Sequence, residues 1–173
     1  MGEGAVTKTG LWRSTLKLSL RTGLCFGLTS ATITTLGLMV GLHSFTGSKL
    51  IIIGAILTIA IAYAFSDALG IHISEEFKNT NTPKEIWEAT IATFLTKFFF
   101  ALTFIAPIAL FDLSTSIVVS IGWGLFILSV LSYVIAREKR EERWKVIGEH
   151  VIIALIVIAI THSVGDFIAE IFG

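Results

Sequence analysis

Charge is scarce in this chain, and cysteine is all but absent. Only 15% of the 173 residues are charged while 54% are hydrophobic, and the mean hydropathy is +0.84. That balance excludes an ordinary soluble domain, in which about 25% of residues are charged. Acidic and basic residues are equal at 13 each, so the net charge is uninformative and the placement of charge matters more. The single cysteine, Cys25, excludes an internal disulfide and any CxxC or zinc-ribbon site, leaving a small apolar residue or one soft ligand. There is no HExxH, nucleophile elbow, P-loop or dinucleotide fingerprint. An enzyme is therefore not expected, with no catalytic residue and no tightly bound cofactor. The N-terminal stretch shows no short apolar core followed by a small-residue cleavage site, so a removable signal peptide is not expected either.

Long apolar tracts are abundant. Stretches of about 20 residues or more, enough to cross a bilayer, fall at 19–42, 49–72, 86–110, 114–136 and 147–171. They are too long for strands and show no period-two alternation. Lipid, moreover, demands internally satisfied backbone hydrogen bonds. The expected fold is thus all-α, a polytopic membrane protein of five transmembrane helices over 19–173, preceded by a basic amphipathic segment over 1–18. Arg13, Lys17 and Arg21 recur every four residues beside Leu11, Trp12, Leu16 and Leu20, as in an interfacial helix or an extension of the first span.

The basic residues predict an orientation. Lys8, Arg13, Lys17, Arg21, Lys78, Lys84 and the cluster from Arg137 to Lys145 would share one side, and only Lys49 lies opposite. The positive-inside bias places the N-terminus in the cytoplasm and the C-terminus outside or in a lumen. In REKREERWK acids interleave with bases and no stacking platform is present, so no nucleic acid is expected as a partner.

Polar residues inside the apolar tracts are the candidates for function. The first helix concentrates Thr29, Ser30, Thr32, Thr34 and Thr35 at mid-membrane. These hydroxyls either bond carbonyls one turn earlier or line a polar path. The same helix carries a small-residue ridge, Gly23, Gly27 and Ala31, continued by Gly37 and Gly41, suited to close packing within the bundle or against a second copy. Asp67 lies inside the second apolar tract, where a carboxylate must be paired, protonated or hydrated. Lys97, in the middle of the third, either pairs with Asp67 or snorkels and leaves it free for a cation. His72, Glu75 and Glu76 sit on adjoining turns beyond Asp67, a donor set suited to Fe(II), Mn(II) or Zn(II), or else solvated charge. His162, Asp166 and Glu170 share one stripe of the last helix, read as metal exit, proton release or surface polarity.

Several stretches resemble the vacuolar iron transporter family, the VIT/CCC1 group: FGLTSATITTLGLMVG, AYAFSDALGIHIS, ATFLTKFFFALTFIAPIALF and GEHVIIALIVIAITHSVGDFIAEIFG. The resemblance covers most of 22–173, and it includes the span count and Pro107. It implies a homodimer in which the first two helices line a path between subunits, exporting Fe2+ or Mn2+ from the cytosol in exchange for protons. The family pattern has an acidic residue near Ser30, a methionine near Asp67 and a glutamate near Ile71. The glutamate-rich cytoplasmic domain of its best-known members is replaced here by EEFKNTNTPKE.

The function expected is therefore secondary transport of a divalent metal by a homodimer joined through the first helix. Asp67, His72, Glu75 and Glu76 are its metal residues, and Ser30, Thr34, Asp67, Lys97, His162 and Asp166 line its pathway. The lipid bilayer, divalent cations and protons are the other partners. The membrane would be the plasma membrane of a prokaryote, or a vacuolar or other organellar membrane of a eukaryote. Two alternatives stand beside this: a non-transporting scaffold held by an Asp67–Lys97 ion pair, and a transporter of another solute with Lys97 as the binding charge.

Overall fold

The computed structural model describes residues 17–78 and 80–173. Among them the chain is all-α: α1 Leu18–Phe45, α2 Lys49–Phe77, α3 Pro83–Thr103, α4 Ile105–Leu110, α5 Leu113–Lys139 and α6 Arg143–Phe172. The pair α3 and α4 makes one span, Pro83–Leu110, so five helices are long and apolar enough to cross a membrane. The amphipathic segment expected over 1–18, with Trp12 and Arg13, falls outside the described residues apart from Lys17 and Leu18. Residue 17 and the connections at 78–82 and 140–142 mark one end of the bundle, termed proximal here. The connections at 46–48 and 111–112, with Gly173, mark the distal end.

Helix ends follow local chemistry rather than the limits of the apolar tracts. The second helix, expected to stop at 72, continues to Phe77, and the third starts at Pro83 rather than 86. Thr82 opens α3 with a reciprocal box: its hydroxyl accepts from the Glu85 backbone N–H at 3.4 Å, and the Glu85 carboxylate accepts from the Thr82 N–H at 2.8 Å. Pro83 follows at the first helical position, where its missing N–H leaves nothing unpaired. Asp112 caps α5 by accepting from the Thr115 N–H at 3.0 Å, and that bond holds its carboxyl below the usual carboxylate range. Pro107 has no N–H to offer the Thr103 carbonyl four residues back, so the third span breaks its regular pattern at Phe104.

α1 is the central element. It packs most extensively on α3 and α6, then on α5, whereas α2 lies chiefly against α3. The glycines of α1 explain the closeness. A Cβ at Gly27 would stand 2.9 Å from the Thr93 carbonyl oxygen and 3.2 Å from the Lys97 nitrogen, both on α3, and Gly37 faces Val157 and Thr161 of α6. On α5, a Cβ at Gly124 would meet Leu36 Cδ1 at 2.7 Å. The small-residue ridge of the first helix is thus filled by the chain's own helices. Lipid tails are as apolar as leucine, so such close backbone approach and dispersion contacts supply the cohesion between helices.

Gly27→Ala is expected to force α1 from α3 and lower stability by about 1–3 kcal/mol. Gly122→Ala, where an added Cβ meets nothing within 4 Å, is expected to change it by less than about 0.5 kcal/mol. Thermal unfolding of the two variants in detergent checks the contrast.

Candidate functional site

Three helices deliver one polar group each to the same point. Ser30 comes from α1, Asp67 from α2 and Lys97 from α3. The Lys97 ammonium is ion-paired to Asp67 Oδ2 and donates to Ser30 Oγ at 2.7 Å. Ser30 Oγ in turn donates to the same Asp67 oxygen. The ammonium also lies 5.3 Å from the centroid of the Tyr63 ring, a cation–π contact made one helical turn before Asp67. Lys97 is 2% exposed, whereas the Asp67 side chain retains 21%, and no hydrogen bond to Asp67 Oδ1 is present among the described residues. Because α2 runs to Phe77, Asp67 lies ten residues from its proximal end, about 15 Å at 1.5 Å per residue. The added turns carry the polar run HISEEF, so the depth of the pair is set instead by Lys97, which stands at the middle of the span Pro83–Leu110.

A groove of about 420 Å³ opens distally from this cluster, between α1, α2 and α6. Thr34, Gly37 and Gly41 form its α1 wall, with Tyr63 and Thr161 opposite. Thr34 stands one turn beyond Ser30, and Tyr63 one turn beyond Asp67. The groove therefore ends one helical turn from the ion pair. Two hydroxyls near Ser30 turn back to their own helix: Thr32 donates to the Leu28 carbonyl at 2.8 Å and Thr34 to that of Ser30 at 2.7 Å. Among the mid-helix hydroxyls from Thr29 to Thr35, Ser30 is the one that bonds to other helices. Thr35 Oγ1 is buried without a partner.

The remaining sequence candidates are not brought together. His72 Nδ1 is 3.0 Å from Thr90 Oγ1, and its ring meets Trp87 edge-on with centroids 4.8 Å apart. Glu75 is buried and turns to the following connection, where it accepts from Lys78 at 2.6 Å and Asn81 at 2.5 Å. Glu76 is exposed. At the distal end His162 Nδ1 contacts both Ser44 Oγ and, at 3.5 Å, Asp166 Oδ1; both side chains on α6 are well exposed, as is Glu170. Among the described residues no group of three or more His, Cys, Asp or Glu is placed to hold a metal ion. The alternative in which Lys97 neutralises Asp67 is the arrangement present.

Sequence reasoning missed several partners. Lys17 donates to Glu88 at 2.8 Å, a bond that raises its pKa above the usual lysine value, and Ser19 donates to the same carboxylate at 2.9 Å. Arg21 is ion-paired to Glu138. These contacts bind α1 to α3 and α5 at the proximal end. Charges within a turn of a span end were the available signal, but their partners lie 71 and 117 positions away in the chain, beyond what spacing can reveal. Comparisons with family models, with curated proteins and with solved structures gave no match to this chain.

Breaking the central pair on one side leaves a buried charge alone. Asp67→Asn is expected to cost about 3–5 kcal/mol, while Asp67→Leu combined with Lys97→Met is expected to restore near-native stability. Unfolding midpoints in detergent distinguish the two, and equal midpoints for single and double variants would refute the pairing.

Proposed function

We propose that this integral membrane protein is a secondary transporter that exchanges a divalent cation, Fe2+ or Mn2+, for protons, with the Ser30–Asp67–Lys97 cluster as its exchange element. The observation carrying this reading is an ion pair at mid-span whose carboxylate keeps some exposure and lies one turn from an open groove. Ionisable residues at that depth commonly mark ion pathways or proton relays. The cluster changes the role first assigned to Asp67. A cation cannot take the carboxylate while the ammonium holds it, so arrival of the cation requires Lys97 to release a proton, and return of that proton expels the cation. Lys97 is then the proton carrier and Asp67 the cation ligand. The choice of metal rests on the resemblance of the helices to vacuolar iron transporters. The direction, out of the cytosol, rests on the same resemblance.

In proteoliposomes carrying a metal-sensing dye and a pH dye, the wild type is expected to take up Mn2+ with counterflow of protons. Asp67→Asn should abolish both, and Lys97→Met should uncouple metal movement from the pH gradient. Wild-type vesicles no better than empty ones would remove the transport reading. The closed pair would then favour the scaffold, in which Asp67 and Lys97 only pin α2 to α3.

The second copy is better placed on α2 than on α1. The α1 ridge is occupied internally, but Gly54, Thr58, Ala62, Ser66 and Gly70 recur every four residues along α2 and are all exposed. An added Cβ at Gly54 or Gly70 meets nothing within 4 Å. A small-residue stripe of this kind allows two helices to approach closely in lipid. In a Cys25→Ser background, Ser66→Cys is expected to give a disulfide-linked dimer in membranes, and Ile156→Cys on the exposed face of α6 is not. Absence of the Ser66→Cys dimer would rule out this interface.

A further inference from the structure

A second concavity, of about 400 Å³, lies between α2 and α3 on the proximal side and is separate from the ion-pair cluster. Its apolar trough is formed by Phe65, Leu69, Ile91 and Phe94, over Ala68 as floor. Phe65 and Phe94 close its deep end with ring centroids 4.7 Å apart. At the shallow end stand His72 and Trp87, and here hydrogen bonding fixes which imidazole nitrogen is available. Thr90 Oγ1 spends its own hydrogen on the Ile86 carbonyl at 2.8 Å. It must therefore accept from His72, so in the neutral ring Nδ1 carries the proton and Nε2 presents a lone pair.

Charge around this end is divided between the two helices. Glu76, exposed and one turn beyond His72, adds a second acceptor on the α2 side. On the α3 side Lys84, exposed and three residues before Trp87, adds a cation. Lys78, the other nearby base, is already engaged by Glu75. The Trp87 indole, 57% exposed, offers an aromatic face to a cation. An acceptor pair and an aromatic ring beside one lysine match a head group that has N–H donors on a positive nitrogen and a phosphate close by. The trough below matches an acyl chain. Its volume is within the range of small-ligand sites, about 300–1,000 Å³.

We propose that the α2–α3 groove is a binding site for a phospholipid with a primary ammonium head group. The ammonium is received by His72 Nε2 and Glu76, the phosphate by Lys84, and one acyl chain by the aromatic trough. The proposal is independent of transport, because none of its residues belongs to the ion-pair cluster.

The test is native mass spectrometry of the delipidated protein offered equimolar phosphatidylethanolamine, phosphatidylcholine and phosphatidylglycerol of identical chains. Phosphatidylcholine removes the N–H donors, and phosphatidylglycerol removes the cation. Phosphatidylethanolamine is expected to be retained about three- to tenfold over each, the net value of one ordinary hydrogen bond. Glu76→Gln and His72→Phe should each reduce that ratio toward one. His72→Phe keeps a ring against Trp87, and Glu76 is exposed, so at least Glu76→Gln leaves the fold intact. Equal retention of the three lipids, preference for phosphatidylglycerol, or a preference unchanged in Glu76→Gln would overturn the proposal.

Discussion

An ammonium group in the middle of an apolar span must be compensated where it stands, and Lys97 sets that demand for the whole bundle. Its side chain is 2% exposed, so water does not meet it. The glycine at position 27 lets the α3 backbone at Lys97 approach α1 to near van der Waals contact, and this approach brings Ser30, on the next turn of α1, within 2.7 Å of the ammonium. Asp67 then closes the arrangement from α2. A pair of unit charges about 4 Å apart is worth about 4 kcal/mol at an effective dielectric of 20. Desolvation of the two groups offsets most of that attraction, so the pair fixes which turns of the three helices meet more than it adds to the net stability of the bundle.

The consequence falls hardest on α2. It lies against α3 and touches α1 only sparingly, and most of its outward face is open. Along its length it is held by a small set of contacts: Ile52 and Ile56 in the distal core with Leu36, Met39 and Phe104, Asp67 at mid-span, and Phe65 and His72 against Phe94 and Thr90 proximally. The mid-span contact is the one on which the proposed exchange would act. An element secured at both ends by apolar packing and in the middle by an ion pair can respond locally without coming apart. Proposals for exchange and for a structural pin both draw on this feature, and both make the pair the place where they part.

Hydropathy alone made the five spans and the all-helical class legible, because about 20 apolar residues in lipid have no other satisfactory conformation. Boundaries were less legible: the polar continuation HISEEF remains helical to Phe77, and a capping box at Thr82 sets the next start, although neither residue run is apolar. Asp67 and Lys97 were visible as costly residues, but whether they met depended on a crossing of α2 and α3 that the sequence does not encode locally. His72, Glu75 and Glu76 share helical spacing, yet Glu75 is drawn to Lys78 and Asn81 of the connection. Spacing along one helix fixes which turn a side chain leaves from and is silent about what competes for it on arrival. The α1 ridge had the same ambiguity, since a groove of glycines suits a neighbour in the same chain as well as one in another.

A divalent cation places a heavier demand on the cluster than the ammonium does. Lys97 is satisfied by one carboxylate oxygen, one hydroxyl and the Tyr63 ring. Hard or borderline dications instead gather several oxygen or nitrogen ligands around themselves. One chain offers Asp67 with its second oxygen and Ser30, and no cluster of three acidic, histidine or cysteine ligands among the described residues. Asp67 is on the helix whose small-residue stripe is exposed, one position from Ser66. If two copies pair along that stripe as proposed, their Asp67-bearing helices lie side by side, while each Ser30 stays on α1 beside the carboxylate of its own chain. On the proposed reading, coordination number ties exchange of a dication to pairing through α2: Asp67 and Ser30 of one copy are too few ligands, so the exchange would need donors from beyond its own cluster.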